Sequence, residues 1–284
     1  MVDAEMRRMS EDDWLRRFRS WGVRPSKSMG QNFLLDTDIV ERITDAADIS
    51  SGQLVIEVGP GMGILSEALL NRGAHVIAIE MDDDIASRIA DHFRQNDNYT
   101  VIHKNAATTD MSAITNGRTY DVVANLPYSV ATLIVRHFLE SPHPPRRLTI
   151  MVQKEVAARM AAGTGDLSLL TLATRLYATP TLLFDVPKDA FYPPPKVTSS
   201  VIQLNVRETP LVDSEARSRL FTMATIAFQQ RRKTLLNSLS RGLSLDKPTV
   251  ADELDHLGID PAARPQAISL ESWLALSEST VLQP

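Results

Sequence analysis

Helical patterns and short apolar runs alternate through the first half of the chain. Asp36 precedes apolar residues at helical spacing, which predicts a capped helix, and the same spacing recurs further along. The predicted helices cover residues 39–47, 64–72, 85–94 and 131–140, and the predicted strands cover 54–58, 74–79, 99–103, 120–124 and 148–153. Strands that alternate with helices predict an α/β fold with a doubly wound parallel sheet.

The pattern changes in the second half of the chain. Two strand-like runs, 182–186 and 199–206, flank a proline-rich segment and predict an antiparallel hairpin added to the sheet. After Pro210 only helical patterns follow, at 220–239, 250–257 and 269–277. The sequence therefore predicts a larger α/β domain over residues 1–207, with a basic N-terminal extension at 1–29, and a small all-helical domain over 208–284.

Composition is typical of a soluble globular protein. The chain has 284 residues, of which 43% are hydrophobic and 23% charged, and it contains no cysteine. Its histidines show no metal-ligand spacing, and no apolar run approaches the roughly 18 residues of a membrane span. We therefore expect a cytoplasmic protein that is not membrane-bound and has no metal site.

The net charge of −5 conceals two basic segments. Residues 14–27 and 216–245 contain arginines and lysines but no acid. Each segment alone is compatible with a solvated face or with phosphate contacts, whereas two of them flanking a catalytic domain favour an RNA or DNA substrate. The predicted helix 220–239 carries Arg231, Arg232 and Lys233 at consecutive positions.

A glycine-rich loop follows the strand predicted at 54–58. Glu57 precedes Gly59, Gly61 and Gly63, and this third glycine is one position too early for a dinucleotide fingerprint. The spacing resembles motif I of class I S-adenosylmethionine-dependent methyltransferases. Glu80, which follows the next predicted strand, is suited to accept hydrogen bonds from both ribose hydroxyls. A structural turn is the alternative for the glycine loop by itself.

The segment Asn125-Leu126-Pro127-Tyr128 follows another predicted strand. The Asn carboxamide oxygen and the next backbone carbonyl can accept hydrogen bonds from an exocyclic amino group, Pro127 fixes the turn, and Tyr128 offers a flat face. These properties fit a clamp for a planar ring with an amino group, such as adenine. An ordinary proline turn explains the four residues equally well when they are considered alone.

Six motifs together resemble the KsgA-type ribosomal RNA adenine N6,N6-dimethyltransferases, a resemblance that extends from about residue 24 to 277. They are Gly30 to Leu34, the glycine loop, Asn125 to Tyr128, Gln153 to Glu155, Phe191 to Val197 and Phe228 to Lys233. The resemblance implies a Rossmann-like catalytic domain that transfers methyl groups from S-adenosylmethionine to two adjacent adenines near the end of small-subunit (16S) rRNA. It also implies action on rRNA within an assembling ribosomal subunit, and we expect a monomer.

The resemblance also assigns roles to individual residues. It implies a cofactor site formed by Gln31, Asn32, Leu34, Gly59, Gly61, Gly63, Glu80, Met81, Asn105, Ala106 and Asn125. It implies a catalytic set of Asn125, Leu126, Pro127, Tyr128 and Phe191, in which Tyr128 and Phe191 hold the target base between them, and an RNA-binding set of Lys196, Arg231, Arg232 and Lys233. Asn105 stands where the family has an aspartate, so its hydrogen bond to the cofactor adenine lacks charge assistance.

Two alternatives remain at this level. A related large-subunit rRNA methylase that confers antibiotic resistance shares the first motifs, but it is less similar in the C-terminal region and at Leu126. A non-catalytic RNA-binding assembly factor would retain the fold, although Glu80 and the segment 125–128 argue for catalysis.

Overall fold

The computed structural model describes residues 9–22, 25 and 31–283. Its helices are α1 (Glu11–Ser20), α2 (Thr37–Ala47), α3 (Ile64–Asn71), α4 (Asp83–His92), α5 (Met111–Thr115), α6 (Ala131–Leu139), α7 (Lys154–Ala161), α8 (Leu169–Tyr177), α9 (Ser214–Gln229), α10 (Leu235–Leu243), α11 (Lys247–His256) and α12 (Leu270–Glu278). Its strands are β1 (Phe33–Leu34), β2 (Leu54–Val58), β3 (His75–Glu80), β4 (Tyr99–His103), β5 (Asp121–Asn125), β6 (Arg147–Gln153), β7 (Ala178–Val186), β8 (Phe191–Tyr192) and β9 (Ser199–Val206). A short 3-10 helix covers Lys188–Ala190.

The main sheet has seven strands in the order β4-β3-β2-β5-β6-β9-β7. Strands β4, β3, β2, β5 and β6 are mutually parallel, whereas β9 runs antiparallel to β6. The chain progresses in one direction from β2 to β4 and in the other from β2 to β5, so the strand order reverses beside β2. Open α/β sheets bind ligands at the carboxyl ends of the strands next to such a reversal. The predicted α/β class is confirmed.

Burial explains why the central strands form where the sequence predicts them. All five residues of β2 are buried, as expected for a parallel strand that is covered by helices on both faces. Two of the helices that follow strands begin at a side-chain cap: Asp36 accepts a hydrogen bond from the backbone of Ile39, and Asp82 from that of Ile85. Strand β2 and helices α2 and α4 therefore lie close to their predicted limits.

The chain divides into two compact units. One consists of the residues up to Ala157 together with Thr181–Val206, and the other consists of Ala158–Pro180 together with the residues from Arg207 onward. The expected division at residue 207 differs from this arrangement in the segment 158–180. The reason is that Leu167 and Leu172 are buried in the helical core that also contains Trp273.

The long helix predicted over 220–239 is wrong. The structure has α9 and α10 there, separated by a turn in which the Lys233 amide donates to the carbonyl oxygen of Gln230 at 2.8 Å. Thr234 starts α10 as its N-cap, accepting a hydrogen bond from the backbone of Asn237. Arg231, Arg232 and Lys233 consequently lie in the exposed turn and not on a helix.

Residues 14–20 of the first basic segment lie in α1, whose buried side chains join the core of the first compact unit. Ser10 and Asp13 form a capping box at the start of α1, and Trp14 and Phe18, one helical turn apart, are buried in the core. Arg16 pairs with Asp13, and Arg17 stacks on the Trp14 ring at 4.4 Å. Arg24, Lys27 and most of residues 23–30 lie outside the described residues.

None of the helices in the described ranges is long and apolar enough to span a membrane.

Candidate active site

A cavity of about 240 Å³ opens at the carboxyl ends of β2, β3 and β5. The sheet brings these ends together because the three strands are parallel neighbours. Residues from all of the predicted cofactor motifs line it: Gln31, Asn32, Leu34, Gly59, Gly61, Glu80, Met81, Asn105, Ala106 and Asn125. Leu126, Pro127 and Tyr128 line the same cavity, so the glycine loop and the segment 125–128 face one space.

The glycine loop is shaped by backbone conformations that other residues rarely adopt. Gly59 and Gly61 have φ values of +66° and +54°, in the left-handed region that favours glycine. A Cβ on Gly59 would lie 4.0 Å from the carbonyl oxygen of Asn125, and one on Gly61 would lie 3.0 Å from the Phe33 ring. The missing side chains therefore leave room for a ligand between the loop and the neighbouring strand end.

Gly63 has a different position from the other two glycines. It is the N-cap of α3, and a Cβ there would come within 2.6 Å of Ile89 and 2.9 Å of Phe93. It is absent from the cavity lining found among the described residues. Its small size serves the packing of α3 against α4, whereas the family pattern implies a cofactor contact.

The carboxylate of Glu80 is held in a fixed orientation at the end of β3. Its Oε1 accepts hydrogen bonds from the backbone amides of Met81, at 2.8 Å, and Asp82, at 2.9 Å. Burial raises the pKa of Glu80, while backbone donors from Asp82, Met81 and Gly61 favour its charged form. The Gln31 side chain donates to Asp82 at 3.2 Å and so connects the N-terminal motif to this strand end.

Asn105 lies beside Ala106 in the cavity wall, but its side-chain oxygen also serves the local turn. Asn105 Oδ1 accepts a hydrogen bond from the Ala107 amide at 2.9 Å. A carbonyl oxygen has two lone pairs, so this turn contact leaves one for a ligand.

Asn125 connects the segment 125–128 to the N-terminal motif. Its Nδ2 donates to the carbonyl oxygen of Asn32 at 3.3 Å. The amide is planar, so this contact directs Oδ1 to the opposite side. The following turn is fixed by the Leu126 amide, which donates to the Met151 carbonyl at 3.1 Å, and by the Val130 amide, which donates to the Pro127 carbonyl at 3.1 Å.

Tyr128 is the aromatic residue that lines the cavity from this segment. Its hydroxyl forms a short hydrogen bond with Ser199 Oγ on β9, which limits rotation of the ring. Burial raises the pKa of Tyr128, and the Ser199 contact opposes that shift. The side chain therefore remains a neutral phenol with one fixed ring plane.

Phe191 does not line the cavity among the described residues. Only 4% of it is exposed, and it pairs across the β1–β8 ribbon with Leu34, a residue of the cavity wall. Lys196, Arg231, Arg232 and Lys233 are exposed. Lys196 belongs to the first compact unit, and the three residues of the turn belong to the second.

Glu57 is a cavity residue for which sequence reasoning assigned no role. It is 1% exposed, lines the cavity and accepts a 2.5 Å hydrogen bond from Ser66. Burial raises the pKa of Glu57 to about 8, the Ser66 hydroxyl opposes the rise, and the charge of Glu80 adds to it. The sequence does contain a signal for such a role, because Glu57 is an acid inside the apolar run Leu54–Val58. Buried acids are rare unless they have a partner or a function.

Comparison with known proteins places this site in context. The family model described as ribosomal RNA adenine dimethylase matches residues 23–281. Proteins named ribosomal RNA small subunit methyltransferase A from Dehalococcoides mccartyi and Alkaliphilus oremlandii are each 40% identical, covering 89% of this chain and 88% and 91% of their own lengths.

Solved structures agree with this grouping. The dimethyladenosine transferase from Plasmodium falciparum matches with a TM-score of 0.71 and 25% identity, over 85% of this chain and 94% of that one. The 23S rRNA methyltransferase ErmE matches with a TM-score of 0.70 and 28% identity, over 87% of this chain and 98% of that one.

The reversed strand order, the glycine loop and the carboxylate at the end of β3 define a class I S-adenosylmethionine-dependent methyltransferase. Since the family model spans most of the chain and relatives at 40% identity cover nearly all of it, the narrower group is also settled. The chain belongs to the ribosomal RNA adenine dimethylase family.

Proposed function

We propose that this protein uses S-adenosylmethionine to dimethylate N6 of two adjacent adenines near the end of small-subunit (16S) rRNA during ribosome biogenesis. The observation that carries the proposal is the position of Asn125, which lines the same cavity as Gly59 and Glu80 and has its amide oriented by Asn32. A residue in this position touches both the cofactor and the amino group that receives the methyl. Curated relatives that carry the small-subunit name support the choice of rRNA.

The cavity residues fit the cofactor. Glu80, oriented by two backbone amides, accepts from the ribose hydroxyls, and Asn105 and Ala106 lie where the adenine ring would be held. The glycine loop allows close approach of the backbone, because a Cβ on Gly59 would occupy the space beside Asn125. When bound, S-adenosylmethionine supplies an electrophilic methyl group on a sulfonium. No metal is needed for the reaction we propose.

Asn125 and Leu126 activate the target nitrogen by accepting its hydrogens. The N6 lone pair of adenine is delocalised into the ring, so this nitrogen is a poor nucleophile while it stays planar. Hydrogen bonds from N6 to Asn125 Oδ1 and to the Leu126 carbonyl draw the nitrogen toward tetrahedral geometry. With S-adenosylmethionine bound, the lone pair oriented by Asn125 and Leu126 would form the new N–C bond as the C–S bond breaks with its electron pair on sulfur, and N6 would lose a proton to solvent. Positioning therefore contributes more than a strong base.

Tyr128 and Phe191 complete the proposed base site. The Tyr128 ring, fixed through Ser199, stacks on the extruded adenine, and each such stacking contact is worth about 1–3 kcal/mol. Phe191 pairs with Leu34 behind the cavity wall, so it reaches the base only if the adenine inserts past that wall. Tyr128 is consequently the stronger candidate for the stacking residue.

RNA binding is assigned to exposed cations outside the cavity. Lys196 and the turn of Arg231, Arg232 and Lys233 are exposed and suited to meet phosphates. Consecutive side chains of a turn can point in more directions than those of a helix. We propose that the protein acts in the cytoplasm, as a monomer, on assembling small subunits.

A second candidate is methylation of large-subunit rRNA, which the similarity to the 23S rRNA methyltransferase ErmE favours. Small subunits and large subunits isolated from a strain that lacks this gene separate the two functions. Each is incubated with the purified protein and methyl-labelled cofactor. Label in small-subunit adenines supports the proposal, and label in large-subunit rRNA alone supports the alternative.

A further inference from the structure

Tyr192 is exposed although its aromatic neighbours are buried. Its exposed fraction is 42%, compared with 5% for Phe18, 7% for Phe33 and 4% for Phe191. A single exposed apolar side chain is normal on a protein surface. An exposed ring that packs on the buried aromatic residues beside the glycine loop is nevertheless a candidate for contact with a ligand.

The β1–β8 ribbon determines the direction of the Tyr192 ring. Tyr192 pairs directly with Phe33, and Phe191 pairs directly with Leu34. Directly paired residues of antiparallel strands share one face, and consecutive residues alternate between faces. Tyr192 thus lies on the Phe33 face of the ribbon, opposite Phe191, and it cannot hold the same base as Phe191.

The Phe18 ring packs against the Tyr192 ring. The centroids of Phe18 and Tyr192 are 5.2 Å apart with their planes at 73°, which is an edge-to-face contact. Phe18 also contacts Phe33 at 5.2 Å, and the Phe33 ring lies 3.0 Å from the position of a Cβ on Gly61. The contact with Phe18 leaves the Tyr192 side chain partly accessible, as its exposed fraction of 42% shows. The ring is therefore fixed in place relative to the glycine loop.

Lysines lie before and after Tyr192 in the chain, and one of them closes the loop that carries this residue. The Nζ of Lys188 donates to the carbonyl oxygen of Lys196 at 2.5 Å, which joins the two ends of the segment that carries Tyr192. Lys188 and Lys196 are both exposed, as are the acid Asp189 and Arg19, the residue after Phe18. A partly exposed aromatic ring with cations nearby in the chain is typical of surfaces that stack the bases of single-stranded nucleic acids.

We infer that Tyr192 is a stacking platform for a base that neighbours the target adenine in the RNA strand. The inference rests on the proposed function, since it assumes an RNA substrate at this cavity. Tyr128 holds the extruded adenine, and Tyr192, on the Phe33 face of the ribbon, holds an adjoining nucleotide. Helix α1 then contributes to substrate binding by supplying the Phe18 support, which gives the N-terminal segment a role that its charge alone does not.

The test compares three variants of the full chain. Tyr192→Ala removes the ring, Tyr192→Phe retains it, and Leu182→Ala removes another exposed apolar side chain, 49% exposed, from β7. The probe is a short single-stranded RNA with two adjacent adenines, in which fluorescent 2-aminopurine replaces the neighbouring nucleotide on either side in turn. Affinity is measured at several salt concentrations, and cofactor affinity and melting temperature are measured for each variant.

The inference predicts that Tyr192→Ala weakens RNA binding by about 5- to 150-fold, the loss of one base–aromatic stack. The loss is the same at every salt concentration, because no phosphate contact is removed. Quenching of the neighbouring 2-aminopurine on binding disappears in Tyr192→Ala and is restored in Tyr192→Phe. Leu182→Ala binds RNA with wild-type affinity, and the cofactor affinity stays at its wild-type value in all three variants. The melting temperature of Tyr192→Ala falls only slightly, through loss of the Phe18–Tyr192 ring contact.

Three outcomes would overturn the inference: wild-type RNA affinity in Tyr192→Ala, unchanged quenching, or a parallel loss of cofactor affinity and melting temperature that marks a purely structural role. The wild-type protein is assayed alongside for methylation of small subunits. If it methylates adenine while Tyr192→Ala binds RNA normally, the inference fails and the proposed function stands. If it methylates no RNA but Tyr192→Ala still loses RNA affinity, the proposed function fails and the stacking role stands.

Discussion

The side-chain amide of Asn125 donates a 3.3 Å hydrogen bond to the backbone carbonyl of Asn32. This contact joins the end of β5 to the segment that precedes β1, two parts of the chain that are distant in sequence. It also determines which side of the Asn125 amide is available to a substrate. Positioning of the reactive amino group therefore depends on a contact made outside the segment 125–128.

Asn125→Ala removes both the oriented acceptor and its anchor. We expect the turnover number to fall by about 10²–10³-fold, the typical cost of losing one oriented hydrogen-bonding group at a reacting centre. RNA affinity should remain close to wild type, because Asn125 contacts no phosphate in the proposed complex. Single-turnover methylation and RNA binding are measured in parallel, with Asn98→Ala in an exposed loop as the matched control. Methylation near the wild-type rate would exclude Asn125 from catalysis.

Substitutions at two of the three loop glycines should cause different defects. Gly63→Ala places a Cβ within 2.6 Å of Ile89, so it should lower stability by about 1–3 kcal/mol through overpacking. Gly59→Ala has space around its Cβ but forces alanine to a φ of +66° beside the cavity, so it should weaken cofactor binding more than Gly63→Ala does. Thermal unfolding and calorimetric titration of the cofactor distinguish the two. A cofactor defect confined to Gly63→Ala would contradict the assignment.

The buried acid Glu57 predicts a pH dependence of stability. Burial raises its pKa from an ordinary value of 4.5 to about 8, so the folded state binds more protons than the unfolded state between those values. The contribution of Glu57 to stability is therefore complete below pH 4.5 and is lost as the pH rises toward 8. Glu57→Gln, which is uncharged throughout, should flatten that decline.

Urea unfolding across this pH range measures the effect, and Glu155→Gln, at an exposed position on α7, is the control. An unchanged pH dependence in Glu57→Gln would show that Glu57 does not carry the raised pKa.

The turn between α9 and α10 predicts a salt-dependent defect. Replacing Arg231 and Arg232 by Ala should weaken binding to the small subunit and reduce the slope of affinity against salt concentration, by about one unit for each phosphate that is no longer neutralised. Arg94→Ala is the control because Arg94 is exposed but paired with Asp91. Unchanged binding at all salt concentrations would exclude the turn from the RNA interface.

Much of the catalytic unit could be predicted from the sequence because its signals are local. Strand β2 occurs at its predicted residues, and Asp36 caps α2 as expected, since a buried run and a side-chain cap depend on few neighbours. The residues lining the cavity could also be anticipated, because parallel strands bring their carboxyl ends to one edge. Among the residues predicted to line the cavity, only Gly63 and Phe191 do not line it in the described part of the chain.

The failures depend on contacts made elsewhere in the chain. Arg231 breaks the apolar spacing set by Leu220, Ala224 and Ala227, a signal that the prediction of one long helix overlooked. The positive charge of residues 14–27 conceals helix α1, which packs through Trp14 and Phe18 at helical spacing. The placement of residues 158–180 with the helical unit follows from burial of Leu167 and Leu172, which no local pattern reveals.

The central claim is tested most directly by mass spectrometry of modified nucleosides. Small subunits from a strain that lacks this gene are incubated with the purified protein and S-adenosylmethionine, and their rRNA is digested to nucleosides and to mapped fragments. The account predicts N6,N6-dimethyladenosine at two adjacent positions near the end of the small-subunit rRNA, formed about 10²–10³-fold more slowly with Asn125→Ala. Absence of dimethyladenosine from those particles, or its appearance only in large-subunit rRNA, would contradict it.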